Sequence, residues 1–71
     1  MSNTAEQFVV ANGRDVEWSS GTIEEFLLSQ QLLPRSVVVE HNGEAVVPSE
    51  FSNRRLKPGD RLEIVKIVAG G

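Results

Sequence analysis

The order of elements in this chain predicts an α+β domain in which one helix packs on one face of a small mixed sheet. Three observations carry that expectation. Two β-rich runs fold back on the dipeptides Asn12-Gly13 and Asn42-Gly43, one amphipathic segment opens on a capping box at Thr22, and a long alternating run occupies Arg61 to Val68.

The first run is Phe8-Val9-Val10-Ala11, and after the Asn12-Gly13 turn it resumes as Arg14-Asp15-Val16-Glu17-Trp18. Gly13 can take the positive φ that a two-residue hairpin turn demands, and Val16 and Trp18 alternate with charged residues, so one face of the hairpin is expected to be buried. The helix follows from Thr22 and Glu25, spaced so that the hydroxyl accepts from a free backbone N–H while the carboxylate reaches back. Ile23, Phe26, Leu27 and Gln30 fit its inward stripe, and Pro34 marks the latest point the helix could reach undisturbed. Glu24 and Glu25, adjacent on the helix, point in different directions and read as favourable charges near its N-terminus rather than as a catalytic pair.

Val37 to Glu40 and Ala45 to Val47 form a second hairpin, which Pro48 stops. Ser49 to Lys57 reads as an irregular crossover with a short helical turn, anchored by Phe51 and Leu56. Pro58-Gly59-Asp60 then turns the chain into the last strand. Spacing alone does not say that the first and last strands lie side by side.

With 71 residues the chain forms one domain, and with no cysteine it has no disulfide and no thiolate chemistry, so packing must hold it. Apolar residues at 39% and charged residues at 24% suit a compact fold. The formal charge is −3, with the acidic excess before Arg54 and a basic excess after it. That balance argues against nucleic acid as a partner, while Arg54, Arg55, Lys57, Arg61 and Lys66 could meet an acidic protein surface or simply form a solvated loop. No apolar run approaches the roughly 20 residues of a membrane span, and no export signal is visible at the start, so a cytosolic protein is expected. Residues 1–7 read as a frayed leader, 8–68 as the folded domain and 69–71 as a flexible tail.

No enzyme constellation assembles. His41, the single histidine, reads as an exposed turn residue rather than as a base or metal ligand, and neither a nucleophile elbow nor a phosphate-binding glycine pattern is present. The ending stands out instead: a strong strand gives way to Ala69-Gly70-Gly71. A glycine pair taken alone fits a frayed end as well as a site. Placed directly after a strand it makes a probe, because three extended residues reach about 10 Å and glycines can enter a narrow channel.

Three segments together, Val37 to Pro48, Leu56 to Val65 and Val68 to Gly71, resemble the ThiS family of sulfur carriers in thiamine thiazole biosynthesis. The resemblance spans about Phe8 to Gly71 and departs at the N-terminal residues and the Asn12-Gly13 region. It implies a ubiquitin-like β-grasp fold and a protein that is a co-substrate rather than an enzyme. In the implied cycle an E1-like adenylating enzyme uses ATP to activate the Gly71 carboxylate, a persulfide donor converts it to a thiocarboxylate, and thiazole synthase receives the sulfur. No cofactor is bound, Ala69 and Gly70 are the residues recognised in the tail, and the free protein is expected to be a monomer. The residue chemistry agrees: an α-carboxyl group is ionised at neutral pH, and a carboxylate is a poor electrophile until activated. The small subunit of molybdopterin synthase is the nearest rival, although its family usually carries prolines just before the terminus. A ubiquitin-like modifier conjugated through Gly71 and a binding module with an incidental Gly-Gly end also remain open.

Strand parity supplies the last expectation. With Leu62 and Ile64 facing the helix, Val65 and Ile67 fall on the opposite face of the sheet as a docking patch.

Overall fold

The computed structural model describes residues 7–18 and 20–67. Seven strands and one helix occur in the order β1 (Phe8–Ala11), β2 (Arg14–Glu17), β3 (Gly21–Thr22), α1 (Ile23–Ser29), β4 (Val37–His41), β5 (Glu44–Val46), β6 (Arg55–Leu56) and β7 (Arg61–Lys66). The main sheet runs β2-β1-β7-β4-β5, and β3 and β6 form a separate two-stranded ladder. This is the expected α+β arrangement, and it is a β-grasp: β7 is central, parallel to β1 and antiparallel to β4.

Both hairpins turn on Asn-Gly with positive φ at each central residue, 52° and 81° at Asn12 and Gly13, 53° and 85° at Asn42 and Gly43. That is the mirror-image turn whose twist matches the strands it joins. Alternation along β4 and β7 then sorts the side chains: Val37, Val39, Leu62 and Ile64 point to the helix, while Val38, Glu40, Glu63 and Val65 point away from it.

The helix begins as its sequence demands. Thr22 Oγ1 accepts from Glu25 N–H at 3.1 Å, and Glu25 Oε1 accepts from Thr22 N–H at 2.9 Å. The two N–H groups between them are taken up by the crossover, Ile23 donating to Arg54 C=O at 2.9 Å and Glu24 to Phe51 C=O at 3.0 Å. Thus the start of α1 is sewn to the segment that precedes β6, and no donor there is orphaned. Gly21 is held at φ 142°, where an added Cβ would lie 2.7 Å from Glu25 Oε1 and 2.8 Å from the Trp18 ring. A side chain at that position is strained by both backbone and space.

The helix ends earlier than Pro34. Gln31 adopts φ 64°, with Leu32 N–H donating to Leu27 C=O at 2.8 Å and Gln31 N–H to Leu28 C=O at 2.9 Å. These two bonds form a Schellman cap, with glutamine where glycine or asparagine is usual. Gln30, expected on the inward stripe, is instead the exposed C-cap residue. The chain has left the helical path there, so its side chain no longer follows the i+7 position.

The core joins Ile23, Phe26 and Leu27 of α1 to Val9, Val37, Val39, Val46, Leu62 and Ile64 of the sheet, closed at one end by Phe51 and Leu56. Pro48 starts a 3-10 turn over Pro48–Glu50, and the crossover behind it drops its two anchors into the core as expected. Phe26 is fully buried and meets Trp18 edge to face, ring centroids 5.2 Å apart.

Phe26→Ala removes that edge contact and leaves a cavity between helix and sheet, at a cost of about 3–5 kcal/mol. For a domain of this size, that is comparable to the whole stability. Denaturant titration should find little folded variant in buffer; a midpoint close to the parent's would show that α1 buries a different face.

Candidate functional site

The sequence directs attention to the outgoing end of β7, which depends on how that strand is held. On one side β7 pairs with β4 over five positions, from Val37 opposite Lys66 to His41 opposite Leu62. On the other side β1 pairs with it only at Val10/Arg61 and Ala11/Leu62. Beyond that point the Asn12 side chain substitutes for a strand: its Nδ2 donates to Ile64 C=O at 3.0 Å, and its Oδ1 accepts from Ile64 N–H at 2.7 Å. The amide satisfies both backbone groups of one residue, as a peptide unit in a ladder would.

The final described anchor is Ile67 N–H donating to Ser36 C=O at 2.8 Å. Ala69, Gly70 and Gly71, expected to carry and present the reacting group, lie outside the described residues, as does Val68, where the last strand was expected to end. Residues 1–6 of the expected leader lie outside them as well. A seven-residue helix is only about 10 Å long, too short to cover the far end of β7, so Lys66 is exposed on the helix side. On the opposite face Val65 is 60% exposed and Ile67 55%, and Val38, directly across from Val65, is 55% exposed. Sequence reasoning placed Val65 and Ile67 on this face and missed Val38. Its signal was available: it is the outward member of the β-branched run Val37 to Val39.

His41 is the principal correction. It is 7% exposed, not a surface turn residue, because it is the third inward position of β4 and the hairpin turn begins only after it. Its Nε2 lies 2.8 Å from Asp60 Oδ2, and its Nδ1 accepts from Arg54 Nε at 3.0 Å. An arginine Nε–H can only donate, so Nδ1 must offer its lone pair and Nε2 must carry the proton given to Asp60. Both ring nitrogens are thereby committed. The imidazole has no free lone pair for a substrate proton or a metal ion, and its role is architectural.

Asp60 collects the remaining bonds at this corner. Besides His41 it accepts from Lys57 N–H at 2.8 Å and from Asn42 Nδ2 at 3.2 Å, and Asn42 Oδ1 accepts from Arg61 N–H at 2.8 Å. Burial pushes the Asp60 carboxyl up, but the bonds from His41, Lys57 and Asn42 together outweigh it and hold the group below its ordinary value. Arg54, expected among the free basic residues, bonds Glu44 and lies 3.5 Å from Glu50. Its hydrogen bond and charge keep the Glu44 carboxyl below the usual range. Arg54 is therefore withdrawn from the basic surface, which leaves Arg55, Lys57, Arg61 and Lys66 as its exposed members.

Comparisons with known proteins agree in direction. The ThiS family profile matches residues 4–71. The chain is 40% identical over 62 residues to the sulfur carrier protein ThiS of Bacillus subtilis, covering 84% of this chain and 94% of that protein. It is 36% identical over 64 residues to a thiazole synthase of Paramagnetospirillum magneticum, a match covering 89% of this chain but 20% of that much longer protein. The crystal structure of the thiamine biosynthesis protein ThiS from Geobacter metallireducens superposes with a TM-score of 0.77 at 26% identity, covering 90% of this chain and 99% of that one.

The corner built on Asp60 has a pH signature. A carboxyl whose folded value is depressed contributes stability that is fully present above its ordinary value of 3.8 and is lost as pH falls through the folded value. Asp60→Asn should cost about 1–3 kcal/mol at neutral pH through poorer bonds to His41 and Lys57. The gap between parent and variant should narrow below about pH 3.8, where the parent's carboxylate also becomes protonated. Thermal melts between neutral pH and pH 2 measure it, and a gap that is constant across that range would show that Asp60 is not the acid-sensitive group.

Proposed function

The chain belongs to the ThiS family of sulfur carrier proteins in thiamine biosynthesis, and from that membership we propose that its Gly71 carboxylate is the group that is adenylated and converted to a thiocarboxylate. Family members are handled by enzymes rather than being enzymes themselves, and they work with an adenylating enzyme and the thiazole synthase machinery. The observation that carries the proposal is the hold on β7. A strand clamped by β4, β1 and the Asn12 amide reaches its final described anchor at Ile67, four residues short of Gly71. Four residues can span at most about 14 Å, enough to present a carboxylate well clear of the domain.

The chemistry follows from the group. A terminal carboxylate is ionised at neutral pH and resists nucleophiles. An oxygen of the Gly71 carboxylate attacks the α-phosphorus of ATP on the partner enzyme and pyrophosphate leaves. The resulting acyl-adenylate carries AMP as its leaving group, which the terminal sulfur of a donor persulfide displaces to give an acyl disulfide. A thiol of the partner proteins then attacks the donor's sulfur, breaking the S–S bond to release the thiocarboxylate and leave a disulfide on the partners. With no cysteine in the chain, no internal thiol competes for the activated carbonyl. The thiocarboxylate then passes its sulfur to thiazole synthase. That partner is supported by the relative named a thiazole synthase, one fifth of which corresponds to this chain.

Docking is assigned to the outer face of the sheet near the tail, where Val65 and Ile67 stand exposed beside Val38. An apolar group in that position gives a partner a grip on the domain while the tail enters its channel, with Gly70 and Ala69 read by a passage too narrow for larger side chains. Val65→Asp and Ile67→Asp should each weaken binding to the adenylating enzyme by about tenfold or more while leaving the melting temperature within a few degrees of the parent. Unfolding by both substitutions would refute the assignment.

The tail itself can be tested apart from docking. Adding one residue after Gly71 moves the activated carbon by about 3.8 Å and replaces it with an amide, so ATP-dependent adenylation should be lost. Gly70→Val should also fail by crowding the channel, and neither change should alter the melt. Intact mass of the protein isolated from its own cells should show one oxygen exchanged for sulfur on a chain ending at Gly71. Adenylation of the extended chain at the parent rate, without trimming, would overturn the terminal-carboxylate mechanism.

A further inference from the structure

The outer face of the sheet holds an arrangement that the fold does not explain. The β4/β7 register sets Val38 opposite Val65 and Glu40 opposite Glu63. Asn42 N–H donates to Arg61 C=O and Ile67 N–H to Ser36 C=O, and this parity makes Glu40/Glu63 a hydrogen-bonded pair with Cα atoms about 5.5 Å apart. Like charges directly opposite one another on neighbouring strands repel. On its other side Glu40 faces Ala45 of β5, which brings no charge. Arg61 lies two residues from Glu63 on the same face, yet neither carboxylate has an ion-pair partner among the described residues, and Arg54 is engaged with Glu44 and Glu50. Glu40 and Glu63 share a shallow depression with Val38, Ala45 and Val65. A like-charged pair at the centre of a sheet, without an ion-pair partner among the described residues and bordered by exposed valines, is the kind of local conflict a fold retains for a partner.

We propose that Glu40 and Glu63 together receive an arginine side chain from the protein that takes the tail, with Val38 and Val65 as its apolar border. The assignment rests on the docking reading given above and adds the chemistry of the partner. Two carboxylates on adjacent strands form a divided acceptor. A planar guanidinium with five donors bridges such an acceptor, and it gives up its hydration more readily than the ammonium of lysine. Apolar side chains of the partner closing over Val38 and Val65 exclude water and strengthen the attraction. Arginine thus relieves a repulsion that the free protein carries.

The full chain is compared with Glu40→Gln, Glu63→Gln, the double variant and Val65→Asp. Binding to the adenylating enzyme of the same organism is measured by calorimetry at low and high salt, and each variant is melted. The glutamine variants should melt at or above the parent temperature, because a repulsion has been removed, yet bind about tenfold more weakly with a flatter salt dependence. Lower melting temperatures would mark the glutamates as structural and overturn the proposal. If Val65→Asp weakens binding while the glutamine variants bind as the parent does, with the same salt slope, the docking face stands and the arginine does not. If none of the variants changes binding, the docking reading falls and the proposal falls with it.

Discussion

The parallel pairing of β1 with β7 is the constraint on which the rest of the structure depends. It is short, two residue pairs long, and it joins segments about fifty residues apart in sequence. Without it the two hairpins are separate objects, each too small to be stable by itself. With it, five strands share one inner face that α1 can cover. The pairing survives at this length because both ends are reinforced. Gly59 N–H donates to Phe8 C=O at one end, and the Asn12 amide grips Ile64 at the other.

A second cluster fixes where β7 begins. His41, Asp60, Asn42, Arg54 and Arg61 belong to three separate stretches of chain, yet their bonds converge on the turn from Lys57 to Asp60. Such a network is costly when half satisfied and specific when complete. Among the described residues the indole Nε1 of Trp18 is the buried side-chain donor left without a partner, and it is not part of this cluster. The polar corner itself has its donors and acceptors matched.

Much of this fold was legible because its signals are local. The Asn-Gly turns, the Thr22/Glu25 box, the stop at Pro48 and the in-out parity of β7 each depend on neighbours within a few residues. What stayed hidden depends on distant partners. Nothing near Gln31 announces a left-handed residue, since a glutamine there is held by helix capping bonds rather than by preference. His41 lies beside a turn, and only the arrival of Asp60 and Arg54 from later in the chain makes its burial tolerable. The β3/β6 ladder pairs two residues with two and has no periodicity to detect. The exposure of Val65 and Ile67 followed from parity alone, whereas the Glu40/Glu63 opposition required the register between strands. The proposed reacting end, Ala69 to Gly71, was read from its position after the strand and from family resemblance, and it lies outside the described residues.

Placing the central strand after the other four strands of its sheet has a consequence for manufacture. During translation β1, β2, α1, β4 and β5 emerge first, yet they cannot assemble, because the slot between β1 and β4 stays empty until Arg61 to Lys66 have cleared the ribosome. A product broken off before that point has two unjoined hairpins and an uncovered helix, the condition that proteases and chaperones recognise. The architecture therefore couples folding to the synthesis of β7: no shorter product that holds both hairpins can close the sheet that α1 covers.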